Sequence, residues 1–231
     1  LGYLLSALDI RAKEALRERT FRALAYYNYK NLESLPLQLW SDKLFVIKLL
    51  KSVEHVQNSP SITTYYSLMT SRIPSGFWSC RKFVTACVSS TGGGTLLEHA
   101  APELKADPTI ARMAVEQSGR ALQFVSEDLK DDRATVEAAL NRCPLALEFA
   151  SSAIRADEAL VTKVIEQDGR TLAFADTCLK AKRTVVMAAV KRTGAALQHA
   201  PRFQSDREVV ETAVTQDGCA VRFANAAMKV E

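Results

Sequence analysis

Apolar residues along this chain recur at helical spacing, and the whole pattern then repeats. From Gly119 the chain reads GRALQFVSEDLKDDRATVEAAL, from Gly169 GRTLAFADTCLKAKRTVVMAAV, and from Gly194 GAALQHAPRFQSDREVVETAV. Leu122, Val125 and Leu129 stand at i, i+3 and i+7, one face of a short helix. Asp132 follows where an N-cap carboxylate would accept orphan backbone N–H groups. Val136, Ala139 and Leu140 then supply the inner face of a second helix. A glycine closes the unit, where a helix end commonly asks for positive φ. Pro144 fills that place once, and proline also stops a helix.

The leucine position falls at Leu97, Leu122, Leu147, Leu172 and Leu197, always 25 apart, and again at Val221 after 24. An aromatic position gives His99, Phe124, Phe149, Phe174, His199 and Phe223. An acidic position gives Asp107, Asp132, Asp157 and Asp206, with Lys182 as the exception. A unit this short cannot bury its own apolar face, so stacking on its neighbours supplies the core. The expectation is an all-α fold: an α-solenoid of short helix–turn–helix repeats over 94–231. A divergent helical region with an irregular loop is expected over 32–93. There, Phe45, Val46, Leu49 and Leu50 after Asp42 fit the second-helix pattern, as do Phe83, Val84, Cys87 and Val88. Residues 1–31 read as one amphipathic helix, with Leu1, Leu4, Leu5 and Leu8 on its apolar side.

The repeat explains a stretch that otherwise suggests chemistry. SSTGGGTLLE, at 89–98, resembles a phosphate-binding loop, but Gly94 sits three residues before Leu97, the place of the ordinary inter-repeat glycine. A phosphate loop also requires a Lys-Ser/Thr pair opening the helix, and Thr95-Leu96-Leu97 stands there instead. His99 and His199 occupy the aromatic position and read as packing residues rather than metal ligands. The five cysteines form no CxxC pair, so neither a disulfide framework nor a zinc site is expected, and they read as buried or half-buried thiols. No catalytic residue, metal site or cofactor is expected, and the chain does not read as an enzyme.

Composition changes the picture at one end. The chain carries a net +4, with 12 Lys and Arg against 6 Asp and Glu over residues 1–96, and 18 against 20 over 97–231. A basic front can meet an acidic protein, a lipid surface or RNA, whereas a base-by-base RNA code needs a basic repeat face that is missing here. No apolar run is long enough to cross a membrane. The first residue is Leu rather than Met, which fits a processed precursor delivered to a plastid or mitochondrion, with a cytoplasmic location as the alternative.

The phrase L-x-F-A-x-x-x-L-x-x-D-x-x-V-V-x-x-A-V-x-x-x-G resembles the short helical repeats of the family DUF4116, over roughly 94–231. The resemblance implies a helical repeat array and brings no catalytic residues with it. The expected function is a non-catalytic scaffold or linker that contacts protein subunits of a large assembly, such as a photosystem with its antenna or a respiratory complex. The alternatives are an RNA-associated repeat protein and a bacterial effector binding a host protein. Leu1, Leu4, Leu5, Leu8, Tyr26, Tyr27, Tyr29 and Trp78 are the expected partner anchors, because aromatic residues are enriched at interfaces. Packing of the aromatic residues against the first repeats is the competing reading.

Overall fold

A computed structural model describes residues 37–52, 69–90 and 93–229. The fold is an all-α helical repeat, and the described residues fall into two compact units divided between Gln117 and Ser118. Clear repeats begin in sequence at 94, so the first of them belongs to the same compact unit as the divergent region.

In the first unit, α1 (Leu37–Trp40) and α2 (Lys43–Ser52) come first. Asp42 caps α2 by accepting from the N–H groups of Leu44 at 3.0 Å and Phe45 at 3.3 Å. Phe45, Val46, Leu49 and Leu50 are buried, as the pattern predicted. After a 3₁₀ turn (Ser75–Phe77), α3 (Arg81–Val88) buries Phe83, Val84, Cys87 and Val88. Next come a 3₁₀ segment (Gly93–His99), α4 (Pro102–Lys105) and α5 (Pro108–Gln117), the last capped by Asp107.

The second unit repeats one three-part plan. Its 3₁₀ segments are Gly119–Phe124, Pro144–Phe149, Gly169–Phe174, Gly194–His199 and Gly218–Phe223. The first is followed by α6 (Glu127–Asp131) and α7 (Arg133–Arg142), the second by α8 (Ser152–Ala156) and α9 (Glu158–Gln167). The third leads into α10 (Thr177–Lys180) and α11 (Arg183–Arg192). The fourth leads into a 3₁₀ turn (Pro201–Phe203) and α12 (Arg207–Gln216), and the fifth into a 3₁₀ turn (Ala226–Lys229).

Two details differ from the sequence expectation. The first arm of each unit is not one short helix. It is a 3₁₀ segment followed by a short α-helix or 3₁₀ turn, separated in the first repeat of the second unit by the extended residues Val125 (φ −74°, ψ 163°) and Ser126 (φ −62°, ψ 157°). A 3₁₀ segment followed by a bend also places Leu122 and Val125 inward, so the apolar spacing alone did not distinguish it from a continuous helix.

The second detail concerns the glycines. Gly119, Gly169 and Gly194 all have negative or extended φ, so left-handed geometry is not their reason. A Cβ on each would stand 2.4, 2.4 and 2.3 Å from the carbonyl oxygens of Ala139, Ala189 and Ala213, the long helix of the same unit. Glycine is required because the chain closes back on its own helix with no room for a side chain. Gly218, with nothing within 4 Å of its Cβ position, lacks that constraint.

The leucine position is the centre of the core. Leu97, Leu122, Leu147, Leu172 and Leu197 are each 0% exposed, whereas Val221 is 41% exposed. Burying each such leucine contributes about 1.5–3 kcal/mol.

Candidate partner surface

The same small set of bonds holds neighbouring units together. Asp132, Asp157 and Asp206 cap their long helices, accepting from the N–H of Thr135 at 2.9 Å, Leu160 at 3.0 Å and Val209 at 3.3 Å. Arginines of the unit before reach two of these caps, Arg133 to Asp157 at 2.6 Å and Arg183 to Asp206 at 2.9 Å. In the first unit Arg81 pairs with Asp107 in the same way. The cap bonds hold the carboxyl of Asp132 below the usual range, chiefly through Thr135, and that of Asp157 through the Leu160 N–H and then Arg133. Arg183 does the same for Asp206. Where Lys182 replaces the acid, α11 has no side-chain cap, and the lysine pairs instead with Glu158 at 2.6 Å.

These pairs account for the recurring charged residues, so a candidate surface is to be found elsewhere. The 3₁₀ segments of the second unit pack side by side in one layer. Each ends on the aromatic position, and Phe124, Phe149, Phe174, His199 and Phe223 are all half-buried rather than enclosed. The reason is geometric: at three residues per turn, a side chain two places beyond the inward leucine lies about 240° round the axis. The aromatic position thus lies at the edge of the core, and His99, in the first unit, is exposed and packs against Trp78.

Basic side chains border this row. Lys180 donates to the Ala173 carbonyl at 2.6 Å, and Gln204, in the equivalent place, donates to the Leu197 carbonyl at 3.3 Å. Lys130 is tied to Glu127 at 2.7 Å and is only 17% exposed. Arg222 stacks over the Phe223 ring at 4.5 Å, a cation–π contact. The result is a rank of half-buried rings bordered by cations, of which Lys130 and Arg222 are held by local contacts.

Of the expected anchors, Leu1, Leu4, Leu5, Leu8, Tyr26, Tyr27 and Tyr29 lie outside the described residues. Trp78 is 7% exposed, edge-on to Phe83 at 5.5 Å and tilted against His99 at 5.2 Å. Its carbonyl accepts from the Ala101 N–H at 3.0 Å, so it packs the first unit and offers little ring to a partner. Sequence reasoning did not single out the aromatic row as a surface, although its spacing of 25 was plain. What was missing was the 3₁₀ geometry that turns it outward.

The cysteines divide by position. Cys87 is buried, and burial pushes its thiol up to about 12, while Cys80 and Cys143 are half-buried. Cys178 and Cys219 are exposed, contrary to the expectation of buried or half-buried thiols for all five. No helix among the described residues is long and apolar enough to cross a membrane. A family model described as Domain of unknown function (DUF4116) matches residues 79–130 and 182–229. No curated protein and no solved structure matches the chain.

Proposed function

From a chain that is a DUF4116 repeat-containing protein, we propose a non-catalytic scaffold, one that holds protein subunits of a larger assembly on its aromatic row. The observation that carries this reading is the half-burial of Phe124, Phe149, Phe174 and Phe223 at one repeated place. Half-buried phenylalanine rings are apolar and already partly held by packing, so they lose little entropy on contact. The rest of the repeat supports the reading: its recurring glycine, leucine and aspartate maintain the stack, which displays the row at a fixed spacing.

Interleaved rings and cations also describe a platform for single-stranded nucleic acid. Here Lys130 is engaged by Glu127, and 97–231 has more acidic than basic residues. A protein partner fits that balance better. The test is recovery of the tagged chain from its native cell in mild detergent, with and without nuclease. Stoichiometric protein partners that survive nuclease, and are lost on combined Phe149→Ala and Phe174→Ala substitution, are the expected result. A free species near 25 kDa, or partners released by nuclease, would overturn it.

A further inference from the structure

The junction at Pro201 departs from the others in the second unit. Elsewhere a backbone N–H ties each unit to the one before it. Ser151 donates to the Lys130 carbonyl at 3.0 Å, Asp176 to Arg155 at 2.9 Å, and Asn225 to Gln204 at 2.8 Å. Opposite Lys180 the corresponding residue is Pro201, which has no N–H to give. The preceding residue also takes a different course. Ala200 has ψ 63°, whereas Val125, Ala150, Ala175 and Ala224 have ψ of 163°, 158°, 154° and 154°. The short α-helix found in the three preceding units is replaced here by the 3₁₀ turn Pro201–Phe203.

At this junction lies a cleft of about 480 Å³, within the range that holds small ligands. Thr177, Cys178 and Lys180 line one side, and His199, Pro201 and Arg202 the other. Its charged lining residues, Lys180 and Arg202, are both cationic. Arg155 lies near enough to act on Lys180, and Lys182 on Cys178. The carboxylate that acts on this cluster is Asp176, which accepts from the Cys178 N–H at 2.9 Å and the Thr177 hydroxyl at 3.3 Å. The Lys180 ammonium gives one of its three N–H bonds to Ala173 and keeps two. Burial, and then Lys180, lower the pKa of His199, and the ring has at least one N–H to donate.

We propose that this cleft binds the phosphate group of a small phosphorylated molecule, held by Arg202 and Lys180 with His199 as a further hydrogen-bond donor. Two cations match a phosphate, which carries about −1.5 to −2 near neutral pH, better than they match a single carboxylate. The forked donors of Arg202 suit two phosphate oxygens at once.

The experiment titrates inorganic phosphate and pyrophosphate into the intact chain at constant ionic strength. Binding is followed by calorimetry and by the ring resonances of His199, with chloride as the control. Saturable binding that moves those resonances is expected. Arg202→Ala, at an exposed position, should weaken it at least about tenfold, or 1.4 kcal/mol. Pro201→Ser restores an N–H opposite the Lys180 carbonyl without removing charge, and should also weaken binding by narrowing the cleft. Circular dichroism of each variant separates lost binding from lost fold. Absence of saturable binding, parental affinity in the folded Arg202→Ala variant, or a response to a phosphoserine peptide but to neither free anion would overturn the proposal.

Discussion

At the scale of single residues, the repeat glycine is a steric requirement, and it makes a sharp prediction. Gly169→Ala places a methyl group 2.4 Å from the Ala189 carbonyl oxygen, and backbone cannot yield as a side chain tip would. Overpacking of this kind costs about 1–3 kcal/mol, read as a lower midpoint in urea unfolding. Gly218→Ala, with open space around the same position, should leave the midpoint within about 0.5 kcal/mol of the parent. Equal effects at the two sites would show that conformational freedom, not contact, is what the glycine provides. The glycine was legible in the sequence as a slot, but its reason was not. A one-dimensional pattern shows that side chains are excluded without showing which carbonyl excludes them.

At the scale of elements, the long helices were legible almost residue by residue, because an aspartate cap and a V-V-x-x-A-V face leave little freedom. Asp157→Ala should destabilise by about 0.5–2 kcal/mol, since it removes a cap bond to Leu160 and one of the two ion pairs of Arg133. Lys182→Ala, at the equivalent place with no cap bond and only an exposed pair with Glu158, should leave the unfolding midpoint close to the parent's. The caps also set an acid response. Asp132, Asp157 and Asp206 have folded pKa values below their unfolded value of about 3.9. Their contribution is therefore complete above that value and is lost as pH falls through the lower folded one. Thermal midpoints measured downward from pH 5 should fall, and fall less in the Asp157→Ala variant. The short first arm was read less well. Leu122, Val125 and Leu129 satisfy a helical spacing that the chain meets with a 3₁₀ segment, a bend and a short helix. That same segment decides which way Phe124 faces, so the aromatic row was hidden with it.

At the scale of the whole molecule, two compact units divide at Gln117 and Ser118. Residues 118–231 expressed alone should give a helical far-ultraviolet spectrum and a cooperative thermal transition, because the internal repeats supply each other's core. A broad, non-cooperative loss of signal would show that compactness here depends on the rest of the chain. Stacked units also form a mechanical series, in which tension applied between the ends is borne by each junction in turn. The rungs at Ser151, Asp176 and Asn225 bear it partly through backbone hydrogen bonds, and the junction at Pro201 lacks that rung. Under load that junction relies on side-chain pairs such as Arg183 with Asp206 and Glu208. One proline thus removes a backbone rung from this stack, and the side chains facing each other there are those of Lys180 and Arg202.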